Sequence, residues 1–132
     1  MKIEVSNGEI LDKYTILNIK MQNLHGVDDV KATNVRIEYE TLTPKVDKIF
    51  ADCKEPNRLE SLYIDLLNIN QTLWNIEDQI RDCEHDQNFG ADFIELARSV
   101  YFTNDERSVV KKKINSTTGS RLIEEKAYKE YK

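Results

Sequence analysis

Residues 100–115 read VYFTNDERSVVKKKIN and bring hydroxyl, amide, carboxylate, guanidinium and ammonium groups together. If this stretch is one helix, a 4-3 stripe runs Leu96, Val100, Thr103, Arg107, Val110, Ile114. A guanidinium then sits in the middle of an apolar stripe, with Ala97, Asn104 and Lys111 alongside. A buried charge without a partner costs several kcal/mol, so Arg107 requires a negative group. Three arrangements would meet that requirement. The helix could break at Thr103, which with Glu106 has the spacing of a capping box. An acid from another helix could clamp Arg107 and fix the register. Or Asn104, Arg107 and Lys111 could present donors to an anionic small molecule, a phosphate or carboxylate of nucleotide-sugar type, with Asn104 or Asp105 orienting it. The two structural arrangements together outweigh the ligand. Lys112 and Lys113 point elsewhere and are expected in solvent.

Other chemistry is sparse. Asp82 and His85 stand three apart, with Asp78 and Cys83 nearby, but the second histidine, His25, lies far away. A carboxylate metal site in a bundle needs ligands from facing helices. The cluster therefore reads as a charged helix end, where protonated His85 suits the dipole. Cys53 and Cys83 lack the second Cys/His pair that zinc requires. Glu9/Asp12 and Asp92/Glu95 repeat the paired carboxylates of helical magnesium-dependent pyrophosphatases. Those pairs lie on adjacent helices, whereas these are far apart in the chain, and Glu9 has a capping role. No phosphate loop, nucleophile elbow or catalytic Cys/His spacing is present. No metal, no cofactor and no catalytic residue is assigned.

The elements that would position these groups are helical. Ser6 and Glu9 form a capping box, with Val5 and Ile10 as its staple. An apolar stripe at Ile10, Tyr14, Leu17, Met21 and Leu24 predicts a first helix over about 8–24, stopped by His25–Gly26. Val35, Tyr39, Leu42, Val46 and Ile49 predict a second, kinked or restarted at Pro44 with Thr43 as cap. After Pro56, with Asn57 as cap, Leu59, Leu62, Leu66, Ile69, Leu73, Ile76, Ile80 and Cys83 hold a heptad-like spacing, widened by Tyr63, Leu67 and Trp74. That pattern predicts a long third helix in antiparallel or coiled-coil packing. A loop at HDQNFG precedes a fourth helix from about Ala91. RLIEEKAYKEY could form a short helix with Ile123, Ala127 and Tyr131 on one side, and KIEV could be a short extended piece; the conformation of 116–132 stays open. The expected fold is all-α: long antiparallel helices in a hairpin or bundle, as a single domain over 1–132.

Composition narrows the function classes. The chain has 132 residues, 33% charged, with few Gly and Pro. No apolar run approaches a membrane span and the start lacks a signal-peptide core, so the expected compartment is the cytoplasm, with both cysteines reduced. The net charge is −5, yet residues 107–132 hold eight Lys/Arg against three Asp/Glu. The densest acidic patch, 77–95, holds seven acids and one arginine. The basic tail, 116–132, is expected to dock on the acidic body, its own or a neighbour's. Nucleic acid is disfavoured because the body repels phosphate and no aromatics interleave with Lys111–Lys113.

The segments VSNGEILDKYTILNIK, ELARSVYFTNDERSVVKKKIN and GSRLIEEKAYKEY resemble those of an uncharacterised family of short helical proteins. Its members occur in marine cyanobacterial viruses and in bacteria, some beside or fused to sugar- and polysaccharide-related proteins. The matching positions are Gly8, Glu9, Asp12, Lys13, Thr15, Asn104, Asp105, Arg107, Lys111, Asn115, Glu124, Glu125, Lys126 and Tyr128. The resemblance covers essentially the whole chain. It implies an all-helical intracellular protein, in the host cytoplasm if viral, and assigns no activity. The expected function is a non-enzymatic structural or interaction module forming a homo-oligomer. The alternative is a binding protein or enzyme for an anionic small molecule held by Arg107 and Lys111.

Overall fold

Four helices make up the fold: α1 (Asn7–Gln22), α2 (Asp29–Asp52), α3 (Pro56–His85) and α4 (Ala91–Thr118). The computed structural model describes residues 1–131, and among these there is no strand. The fold is all-α, as the periodicities require. α3 and α4 form a long antiparallel hairpin; Arg58 Nε donates to Thr117 Oγ1 at one end. α1 touches all three other helices, while α2 barely touches α3. Gly8 meets Asn115 and Asp12 meets Arg107, so α1 runs antiparallel to α4. Asn7 and Ile10 lie beside Lys48, Ile49 and Asp52, whereas Lys13 pairs with Glu38, so α1 runs antiparallel to α2 as well.

The core is assembled from all four helices. Leu11, Tyr14, Val46, Leu59, Leu62, Leu66, Val110 and Ile114 form one buried cluster. Burying such side chains contributes about 1.5–3 kcal/mol each, an upper bound for a partly compact unfolded chain. Tyr39 stacks on Tyr14 with ring centroids 4.7 Å apart. The third-helix stripe splits at the level of α1. Its N-terminal members Leu59, Leu62 and Leu66 are buried, whereas Leu73 and Ile80 are half-covered. Within 77–99 only Cys83 is buried, so this end of the hairpin is a two-helix arm with a thin seam.

Several expectations change. α2 continues through Pro44 without a restart at Thr43. Thr43 Oγ1 instead donates to the Tyr39 carbonyl, and Tyr39, Val46 and Ile49 pack on the core from both sides of the proline. That packing outweighs one lost hydrogen bond. α4 does not break at Thr103. The tail after Gly119 is irregular rather than helical, and residues 1–6 form no strand. α3 begins at Pro56 behind Glu55, without a side-chain cap from Asn57. α1 buries far more than the Ile10–Tyr14–Leu17 stripe: Gly8, Leu11, Asp12, Thr15 and Ile19 are also inside. A helix with neighbours on three sides needs more than one inward face.

A close contact between α1 and α4 sits at Gly8. A Cβ there would lie 2.7 Å from the Lys111 backbone oxygen and 2.9 Å from Asn115 Oδ1. Backbone cannot yield as a flexible side chain does. Gly8→Ala should therefore destabilise the fold by roughly 1–3 kcal/mol, although alanine is the better helix former by about 1 kcal/mol. A urea titration followed by circular dichroism checks this; an unchanged or raised midpoint would show that α1 and α4 can separate freely.

Candidate functional site

Arg107 points across to α1. Its Nε donates to Asp12 Oδ1 at 2.8 Å, and its Nη2 donates to Asp12 Oδ2, making a bidentate pair. The Asp12 side chain is 2% exposed and that of Arg107 28%. Their positions in the helices explain this. Asp12 follows Gly8 by one turn on the α1 face that meets α4, and Gly8 lets that face come close. The Asp12 hydrogen bond holds the Arg107 guanidinium above its usual pKa, against burial, which opposes the charge.

A polar network surrounds the pair. Asn70 Nδ2 donates to Asp12 Oδ1 at 2.9 Å and to Thr15 Oγ1 at 2.7 Å. Thr15 Oγ1 in turn donates to the Asp12 carbonyl at 2.6 Å. Asn104 Oδ1 accepts from Arg107 Nη1 at 3.4 Å. Lys111 Nζ donates to Glu9 Oε2 at 2.6 Å and lies 3.8 Å from Asp12 Oδ2. Among the described residues no buried side-chain nitrogen or oxygen lacks a partner. Low polarity makes such a network strong when complete and costly when one member is missing.

The first turn of α1 is closed by distant residues. Ser6 Oγ accepts from the Glu9 N–H at 3.1 Å, as a cap should. Glu9's carboxylate goes to Lys111 rather than completing the capping box. Asn115 Oδ1 accepts from the Gly8 N–H at 2.7 Å, and Ser120 Oγ from the Asn7 N–H at 3.1 Å. Ser6 Oγ also donates to Glu124 Oε1 at 2.6 Å. Gly119, at φ +66°, turns the chain out of α4 so that the tail can reach these groups. Arg121 pairs with Glu4, and Lys112 with Glu125. Among the described residues, the tail's side-chain bonds run to α4 and residues 4–7 and none to the acidic stretch 77–95.

The four candidate residues divide. Arg107 and Lys111 face the α1 carboxylates. Asn104 links Arg107 to a groove between α4 and the tail. Asp105 lies in that groove, with Lys126 Nζ donating to its Oδ1 at 2.9 Å and Tyr131 Oη donating to its Oδ2. The Tyr131 phenol is pushed up to about 12, first by that bond to Asp105. Lys112 and Lys113 are exposed. The two carboxylate pairs do not meet: Asp92 and Glu95 lie beside Asp82 and Cys83 on the arm, about three turns from Arg107. Among the described residues, no group of three His, Cys, Asp or Glu could hold a metal ion, Asp78, Asp82 and His85 included. Sequence reasoning found Asp12 only as half of a carboxylate pair. It missed Asn70 and Ser120, and gave Thr15, Asn115 and Glu124 no role.

The match to known proteins covers this whole assembly. A profile for a family of unknown function (DUF6165) matches residues 1–131. The chain belongs to that family. No curated protein and no solved structure matches the chain. Family membership thus spans both the α1–α4 clamp and the tail that fastens it.

Removing Arg107 leaves the buried Asp12 carboxylate with only the Asn70 amide and Lys111 at 3.8 Å. Arg107→Met should cost about 3–5 kcal/mol. Asp12→Asn combined with Arg107→Met should cost less than the sum of the two, with a coupling of about 1 kcal/mol or more. Chemical denaturation of the four proteins of the cycle measures it; additive losses would mean that the two residues act independently.

Proposed function

We propose that the chain is a non-enzymatic interaction module that associates with a second copy of itself through the outer face of α3. The observation that carries this reading is the uncovered apolar surface there. Leu67 and Trp74 are only half-buried and Ile64 is 48% exposed, because α2 leans on α1 and leaves α3 largely free. Aromatic and aliphatic groups left on such a face mark protein interfaces. Charge favours an antiparallel two-fold arrangement. The acidic end of the hairpin, 77–95, would lie along the basic end of its partner, made by 107–132. The polar cluster supports a scaffold role, since Asp12 and Glu9 already neutralise Arg107 and Lys111 and leave no excess positive charge for a substrate anion.

This reading takes the whole chain as one unit, with 116–132 as part of it. It places the protein in the cytoplasm: Cys53 and Cys83 are free thiols, which suits a reducing compartment. No helix among the described residues is long and apolar enough to cross a membrane.

Sedimentation velocity should show a dimer at high micromolar concentration, weakening as salt rises. Leu67→Asp should yield a helical monomer, as judged by circular dichroism and mass. A wild-type chain that stays monomeric at those concentrations would sink the reading.

A further inference from the structure

The groove between α4 and the tail is a second place where chemistry is possible, on the side of α4 away from α3. It has a volume of about 660 Å³, within the roughly 300–1,000 Å³ typical of small-molecule sites. Asn104 and Asp105 lie along its α4 side, and Lys126, Tyr128 and Lys129 along the tail. Tyr131 stands edge-on to Tyr101 and Phe102, each at 5.3 Å between centroids, and this packing makes one wall rigid. Tyr128 is 85% exposed, an aromatic ring with an open face. Lys126 Nζ sits 5.9 Å from the centre of that ring.

We propose that this groove binds a nucleoside monophosphate or a similar planar aromatic anion. The parts match the ligand one by one. The open Tyr128 ring offers a stacking surface for a base. Asn104 Oδ1 is taken by Arg107, so its amide NH₂ is the donor left for a polar ring edge. Lys126 is engaged by Asp105, and Glu130 also lines the groove, so the positive charge offered to phosphate is that of Lys129, which has no carboxylate within ion-pair distance among the described residues. Asp105 accepts from Lys126 and Tyr131 and so holds the tail against α4 as the second wall. The buried clamp contributes indirectly: Arg107 fixes the Asn104 carbonyl and hence which end of that amide faces the ligand. This site retains Asn104 and Asp105 from the anion pattern in the sequence but replaces Arg107 and Lys111 with Lys129 from the tail.

Isothermal titration of the full chain with AMP, adenosine and inorganic phosphate tests the proposal. AMP should bind saturably and more tightly than either fragment. Tyr128→Ala should weaken AMP about tenfold, the loss of one stacking contact. Lys129→Gln should weaken AMP while leaving adenosine unchanged. Both residues are exposed, so both variants should keep the wild-type circular dichroism spectrum. No saturable binding of AMP, phosphate binding as tightly as AMP, or an unchanged AMP affinity in Tyr128→Ala would each overturn it.

Discussion

The fold depends on a carboxylate and a guanidinium that must find each other between the first and last helices. Asp12 is almost wholly buried and cannot stay ionised there alone. Arg107, in the midst of an apolar stripe, cannot pack against α1 without it. Their bidentate geometry favours one axial register between α1 and α4, because a slip of one turn would break both hydrogen bonds of the pair and part Gly8 from Asn115. Asn70 adds α3 to the same agreement by donating to Asp12 and Thr15 together. One ion pair therefore fixes the relative placement of three helices, and the apolar core fills in around it.

Gly8 and Asn115 extend that constraint to the end of the helix. The approach permitted by Gly8 brings the α1 backbone to Asn115, whose Oδ1 takes a donor that no α1 residue could satisfy. Ser6 and Ser120 take two more. The start of α1 is thus capped largely by the end of α4 and by the tail. Polar residues that a composition count treats as surface are here interior parts with defined partners.

The legible part of the fold was whatever repeats along a helix. The α3 stripe from Leu59 to Cys83 announced a long helix because hydrophobic spacing is local information, and the Ser6 cap could be read for the same reason. Arg107 was legible as a problem, a charge on an apolar stripe. An acid from another helix was one of the solutions offered, but its identity was not legible, because Asp12 lies 95 residues away and nothing nearby marks it as the partner. The second buried face of α1 stayed hidden because Gly8, Asp12 and Thr15 do not register as hydrophobic. A break at Thr103 was one of the three arrangements that would have relieved an unpaired Arg107; once Asp12 supplies the charge, the helix has no reason to stop. The tail misled in the opposite way. Its Ile123, Ala127 and Tyr131 have helical spacing, yet its polar groups find better partners on α1 and α4 than in a turn of their own.

The capping of α1 by residues near position 120 has a consequence for synthesis. As the chain leaves the ribosome, α1 emerges before the other three helices and waits about a hundred residues before Arg107, Asn115 and Ser120 arrive. Until then its first-turn amides face water and Asp12 has no countercharge. α2 and the start of α3 can gather around Leu11 and Tyr14 in the meantime, but the register stays open. Commitment to the native arrangement therefore waits for α4 and the residues just after it, and a ribosome stalled before α4 would hold a loosely ordered chain rather than a smaller version of the fold.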